Sequence, residues 1–257
     1  AEFHNDTWEP NLYDQSYGWE YRDFEYAGHK LKEAVAFKPS PAMISLVFYA
    51  PNHLRAWRKS FYDEIGGHDE KLQICDDHDL CIRTYLSGAK MVHIDKCLYL
   101  YRVYPQNTFQ LRIKAIQAKT WELYNKYIND ILLKWKNDND LIAIDLGGRF
   151  NEIKGFQSVD LKDADINADL SKKWPFKDGS VGVIRAFDFL EHLPDKQHTM
   201  SEIYRVLAPG GWLLSFTPST DGRGAFQDPT HVAYWNSNAF WYFYRAEQAK
   251  FIDNMSI

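Results

Sequence analysis

Two aspartates stand where short apolar runs end. Leu141-Ile142-Ala143-Ile144 runs into Asp145-Leu146-Gly147-Gly148, and a second run closes on Val159-Asp160. A continuous apolar run reads as a strand buried on both faces of a parallel sheet, and ligands of open α/β sheets sit beyond the carboxyl ends of such strands. Asp145 and Asp160 are therefore expected to face one crevice and to suit a ligand that offers an amine and a ribose. The turn after Asp145 has two adjacent glycines and no G-x-G-x-x-G, so it lacks the backbone cradle of a pyrophosphate and argues against a nicotinamide dehydrogenase. S-adenosylmethionine carries no phosphate and has an ammonium, a sulfonium and ribose hydroxyls. The alternative, a strand that merely ends in a polar turn, stays open.

A second concentration of chemistry lies in Gly66-Gly67-His68-Asp69-Glu70 and Asp76-Asp77-His78-Asp79-Leu80. Carboxylates this dense are unfavourable unless a positive or protonatable group shares the site. A helix beginning near Asp76 would also accept them at its positive end. Farther on, His192 and His231 are candidate bases, with packing or capping as the competing role for His192. His93, in a strand expected over 90–94, reads as a packed or surface residue.

The elements that must position these groups follow from periodicity. The first 38 residues are acidic and aromatic (Trp8, Tyr13, Tyr17, Trp19, Tyr21, Phe24, Tyr26) and read as loops and short strands. A strand is expected over Met43–Tyr49, a turn at Pro51-Asn52 and a helix over Leu54–Ile65. Leu111, Ala115, Ala118, Trp121, Tyr124, Ile128, Ile131 and Trp135 recur at a helical step, and Asn137-Asp138-Asn139-Asp140 ends that helix. After it the pattern is strand, strand, very short strand, strand, helix, strand, as in a doubly wound sheet with an abbreviated first crossover. The domains are then 1–109, a connecting helix 110–140, and 141–257.

Composition bounds the reading. The chain has 257 residues, 45% hydrophobic and 25% charged, with a net charge of −5, so there is no basic footprint for nucleic acid. Cys75, Cys81 and Cys97 are odd in number and lack C-x-x-C spacing, which suggests neither a disulfide framework nor a zinc knuckle. No run is long enough to span a membrane, and a reducing cytoplasm is expected. The first residue is Ala1, and the last residues read as the middle of a segment, so a fragment is expected with both domains cut.

The series Gly66-Gly67-His68-Asp69-Glu70, Asp76-Asp77-His78-Asp79-Leu80, Arg83, Gly88 and Tyr101-Arg102 resembles the acceptor-side half of inverting GT-A glycosyltransferases, whose pattern is roughly G-G-F-D-E, E-D-x-D-L, R, G and Y-R. The resemblance implies that Asp77 is the general base for an acceptor hydroxyl. It also implies a divalent metal and a nucleotide sugar held by an earlier half of the intact protein. No metal ligand is expected here, because Val103-Tyr104 follows where the family often has a metal-contacting His.

From Ile142 to Phe216 the motifs D-L-G-G, G-F-Q-S-V-D-L, A-D-L, W-P-F-K-D-G-S-V, D-F-L-E-H-L and E-I-Y-R-V-L-A-P-G-G-W-L are similar, in order, to class I S-adenosylmethionine-dependent methyltransferases. This resemblance implies a Rossmann-like fold in which Asp145, Gly147 and Gly148 border the methionine moiety and Asp160 holds the ribose. It sets Asp169 near the adenine and Phe187 and Asp188 on the strand that lines the cofactor. Arg149, where the family commonly has glycine, must point away from a sulfonium. His231 falls in a loop that would meet the acceptor, and the aromatic stretch Trp235–Tyr244 is either a roof for that acceptor or a core-facing helix. The expected function is methyl transfer to a small-molecule or glycan acceptor, joined to glycosyl transfer in surface-glycan synthesis. The competing expectation is a non-catalytic scaffold that keeps both folds for carbohydrate or protein interaction.

Overall fold

The computed structural model describes residues 2–4, 7–15, 18–45 and 53–252, and the chain divides into two compact units, 1–131 and 132–257. The first unit begins with β1 (Glu2–His4), β2 (Tyr21–Tyr26), β3 (His29–Ala34), α1 (Pro41–Ser45), α2 (Lys59–Glu64), α3 (Asp76–Leu86) and β4 (Tyr101–Val103). β2 and β3 pair antiparallel with Tyr26 opposite His29, and the two residues between them, Ala27 and Gly28, both have positive φ. That is the backbone of a two-residue hairpin whose twist matches its strands. β1 pairs parallel with β4.

Several expectations for this unit need correction. Met43–Ser45 is helical, not extended: Pro41 occupies the first helical position of α1, where its missing N–H is not needed. The remainder of the expected strand, 46–49, the turn at Pro51-Asn52, and Tyr17 lie outside the described residues. The helix expected over Leu54–Ile65 shrinks to α2, and no strand forms over 90–94, where His93 is half-buried in irregular chain.

α4 (Thr108–Asp138) carries the chain across the boundary at 131/132, with one non-helical residue, Arg112. Its period is the expected one, but its first half is rotated relative to expectation. Leu111, Ala115, Ala118 and Trp121 are exposed, whereas Thr120, Leu123, Tyr127, Ile128, Ile131 and Leu132 are buried. Leu123, Tyr127 and Ile131 pack with Ile44, Cys75 and Ile82 in the core of the first unit.

The second unit is built on β5 (Ile142–Leu146), β6 (Gln157–Asp160), β7 (Ile166–Asn167), β8 (Val181–Phe187), α5 (Lys196–Val206) and β9 (Leu207–Phe216), followed by the short helices α6 (Gly224–Gln227), α7 (Ser237–Trp241) and α8 (Ala246–Ala249). The sheet order is β7-β6-β5-β8-β9 with every pairing parallel, so it is the α/β sheet expected from the sequence. A single turn of tight helix, Gly148–Phe150, replaces the usual crossover helix between β5 and β6. The order reverses between β5 and β8, and it is there that an open sheet leaves a crevice.

β8 sits mid-sheet with Val181, Val183, Ile184 and Ala186 buried. Its Val and Ile side chains each contribute about 1.5–3 kcal/mol by leaving water. Asp195 caps α5 by accepting from His198 N (2.9 Å). From α5, Arg205 donates to the carbonyls of Trp174 (3.1 Å) and Phe176 (2.8 Å) and to Glu202 (2.6 Å) and Asp178 (2.6 Å), while Glu202 accepts from Trp174 N (2.6 Å). The E-I-Y-R sequence is thereby a clamp on the loop that packs buried Trp174 into the core.

Candidate functional site

The carboxyl ends of β5 and β6 bring Asp145 and Asp160 to one edge of the sheet, with Leu146 opposite Val159 in register. Asp145 is 1% exposed, and its Oδ1 accepts from Arg185 Nη1 at 2.8 Å. Burial raises its carboxyl above the ordinary Asp value, with the hydrogen bond and charge of Arg185 opposing. Its second oxygen, Oδ2, has no hydrogen-bond partner among the described residues. Gly147 is left-handed (φ 72°), and a Cβ on it would lie 2.3 Å from the Phe189 ring; a Cβ on Gly148 would lie 2.8 Å from Asp145 Oδ2. Both positions therefore exclude a side chain, one by backbone and close contact and the other because the aspartate fills its space.

Arg149 does turn away: it pairs with Asp163 at 2.7 Å. Asp160 is half-buried, and its Oδ1 accepts from Leu161 N at 2.6 Å. Asp169 is engaged by its own turn, accepting from Ser171 Oγ (2.6 Å), Ser171 N (3.1 Å) and Lys172 Nζ (2.9 Å), which hold its carboxyl down at about 2. Phe187 is 41% exposed, with the Arg185 guanidinium 3.8 Å from its ring centroid. Asp188 follows it in a left-handed conformation (φ 49°), exposed, its N–H held by the Phe216 carbonyl at 2.7 Å.

Beyond β8 the chain makes a tight turn over Leu190–His192, and here His192 and His231 meet with rings 5.0 Å apart. His192 Nδ1 lies 3.2 Å from both the carbonyl and the hydroxyl of Thr230, and His231 Nδ1 lies 3.0 Å from the Ala225 carbonyl. Glu191, 2% exposed, accepts from Thr217 through Oε2 (2.9 Å), while Oε1 has no hydrogen bond among the described residues. Trp235 is fully buried against Phe240 at 4.7 Å, so it belongs to the core. Tyr242 and Phe243 line a cleft with Pro194, Lys196 and Val232.

In the first unit Asp76, Asp77 and Asp79 occupy the first turn of α3. Each has found a cationic or protonatable partner: Asp77 with Arg55 at 2.6 Å, Asp79 with Arg83 at 2.7 Å, and Asp76 with His68 at 3.8 Å. Tyr127 also donates to Asp79 at 2.7 Å. Gly66, His68, Asp69, Glu70, Asp79 and Arg83 line one cleft of about 420 Å³.

Three contributors escaped the sequence reading. Arg185 is a charge inside an apolar strand, a placement that requires a partner and could have been taken as a signal. Glu191 lay unremarked beside His192, and Thr217 carried no signal at all.

Comparison with known proteins bears on one segment of the chain. Residues 132–215 match the model of a family described as a methyltransferase domain. That segment is similar to this family over its whole matched length. A protein of Mycolicibacterium smegmatis named a probable S-adenosylmethionine-dependent methyltransferase is 40% identical over 62 residues, which are 23% of this chain and 24% of that protein. The chain thus spans about a quarter of that relative's length. A crystal structure of trans-methyltransferase CalH in complex with SAH covers 61% of this chain at 11% identity and a TM-score of 0.24, too slight a likeness to carry argument. Both the family match and the Mycolicibacterium smegmatis relative agree with the expectation of S-adenosylmethionine as cofactor. No helix among the described residues is long and apolar enough to cross a membrane.

Proposed function

We propose that residues 132–257 bind S-adenosylmethionine and transfer its methyl group to an acceptor, and that the protein couples this to glycosyl transfer in building a surface glycan in the cytoplasm. The observation that carries the first part is Asp145 Oδ2, a buried carboxylate oxygen without a partner at the carboxyl end of the central strand. Such an oxygen is unfavourable unless a ligand completes it, and a ligand ammonium fits its charge. Gly147 and Gly148 let the turn pack closely over Asp145 and Phe189, Asp160 would receive the ribose hydroxyls, and Phe187 and Asp188 would border the cofactor on the β8 side. Asp169 would face the adenine with the rim of its turn. When bound, the cofactor supplies an electrophilic methyl on sulfonium. The chain's own part is to hold, orient and desolvate the reacting groups.

The glycosyl half of the proposal draws on the part of its motif that lines one cleft (Gly66, His68, Asp69, Glu70, Asp79 and Arg83) and on Asp77 at the start of α3, which does not line that cleft and pairs with Arg55. On this reading Asp77→Asn should abolish sugar transfer and spare binding of the nucleotide-sugar donor.

The rival reading, a scaffold without catalysis, draws on Arg185, which already neutralises one oxygen of Asp145. Calorimetric titration with S-adenosylmethionine and S-adenosylhomocysteine separates the two. One-to-one binding of both is expected, and absence of binding would discard the enzymatic reading.

A further inference from the structure

Glu191, His192 and His231 form a cluster whose ligand atoms all lie within 4.8 Å of one another, drawn from the turn after β8 and the loop before α7. His231 is the informative member. Its Nδ1 faces a backbone carbonyl, which can only accept, so Nδ1 carries the proton and donates to Ala225 O. Nε2 then points at Glu191 Oε1, 4.0 Å away, and Asp228 Oδ2, 3.9 Å away. Both separations are too long for a hydrogen bond, and the side chain of His231 is 8% exposed. A neutral imidazole would therefore turn its lone pair toward two carboxylate oxygens across a gap, one of them the buried Oε1 that no hydrogen bond satisfies. A positive charge between them would relieve that repulsion.

We infer that Glu191, His192 and His231 bind a divalent first-row transition cation of the zinc class. Two nitrogens and one carboxylate oxygen are a donor set such cations take, at about 2.0–2.2 Å from each ligand, so atoms that now lie within 4.8 Å of one another would have to draw in by small side-chain rotations to share one ion. The donor from Nδ1 of His231 to a backbone carbonyl is the outer contact that orients a metal-bound imidazole, and Thr217 does the same for Glu191 by holding Oε2. Asp228, whose Oδ1 is tied down by Thr230, keeps its other oxygen 3.9 Å from His231 Nε2 and adds negative charge beside the cluster. The cluster follows the carboxyl ends of β8 and β9, so the ion would polarise an acceptor oxygen. That role rests on the methyl-transfer reading, whereas the binding does not.

The test uses chelator-stripped full chain titrated with Co²⁺, followed by its visible absorption bands, with Zn²⁺ as competitor. One Co²⁺ per chain, displaced by Zn²⁺, is expected. His231→Ala, His192→Ala and the isosteric Glu191→Gln should each weaken it by more than about 100-fold, beyond the loss caused by removing an outer contact. S-adenosylhomocysteine affinity, measured in parallel, reports whether each variant is folded and whether the cofactor reading holds independently of the ion. If the wild type takes up no Co²⁺, or if the folded variants bind it as the wild type does, the inference is wrong. A titrating His231 proton in a protein that binds no cation would overturn it equally, by supplying the missing charge as a proton.

Discussion

Asp160 and Asp145 make separable demands on the ligand. Asp160→Ala removes a charged acceptor of hydroxyl hydrogen bonds and should weaken S-adenosylhomocysteine binding by about 1.5–3 kcal/mol in calorimetry. Equal affinities would take Asp160 out of the site. Asp145 attracts an ammonium only when ionised, and burial raises its pKa. Affinity should therefore fall as pH is lowered into the range where Asp145 takes up a proton, and that dependence should be absent in Asp145→Asn. These two aspartates were legible because each closes an apolar run. Arg185 was not, since it stands directly opposite Asp145 in the β5/β8 register, and register between distant strands cannot be read from the chain alone.

Elements were legible in type more than in phase. The step along α4 was right, yet its exposed face carries Trp121 and its buried face carries Thr120, because tertiary contacts with Cys75 and Ile82 choose the face and aromatic content does not. Ile131→Ala should accordingly cost about 2–5 kcal/mol by denaturant unfolding, while Trp121→Ala, at a residue 53% exposed, should stay within about 0.5 kcal/mol. The reverse order would restore the face expected from sequence. The strands of the second unit fared better because an apolar run of four to seven residues between turn formers has few alternatives. The clamp of α5 on the Trp174 loop has a pH signature. Hydrogen bonding from Arg205 lowers the Glu202 pKa, so the stabilisation is full above the unfolded carboxyl value and is lost as pH falls through the lower folded one. The stability gap between wild type and Glu202→Gln should narrow over that acidic window, and a gap independent of pH would mean that the charge contributes nothing.

At the scale of the molecule, domains were expected over 1–109 and 141–257 with a connecting helix 110–140 between them, and the compact units divide within that helix, at 131/132. Turn formers mark where a helix stops, whereas a unit boundary depends on which core each turn of the helix enters. Leu123, Tyr127 and Ile131 enter the first core, while a Cβ on Gly210 would come within 3.3 Å of Trp135 and one on Gly155 within 3.0 Å of Leu133, so the last turns close on the second unit. The buried side chains of the two cores form distinct clusters, one around Ile44 and Ile82 and one around Ile144 and Ile184. A ligand that binds only folded β5 and β6 should then protect one unit selectively. With S-adenosylhomocysteine at about 100 times its dissociation constant, the core amides of β5, β6 and β8 should gain about 2.7 kcal/mol of protection in hydrogen exchange, while those of α3 keep their free-state rates. An equal gain in α3 would mean that the units open as one, and the helix between them would then be transmitting stability across the boundary.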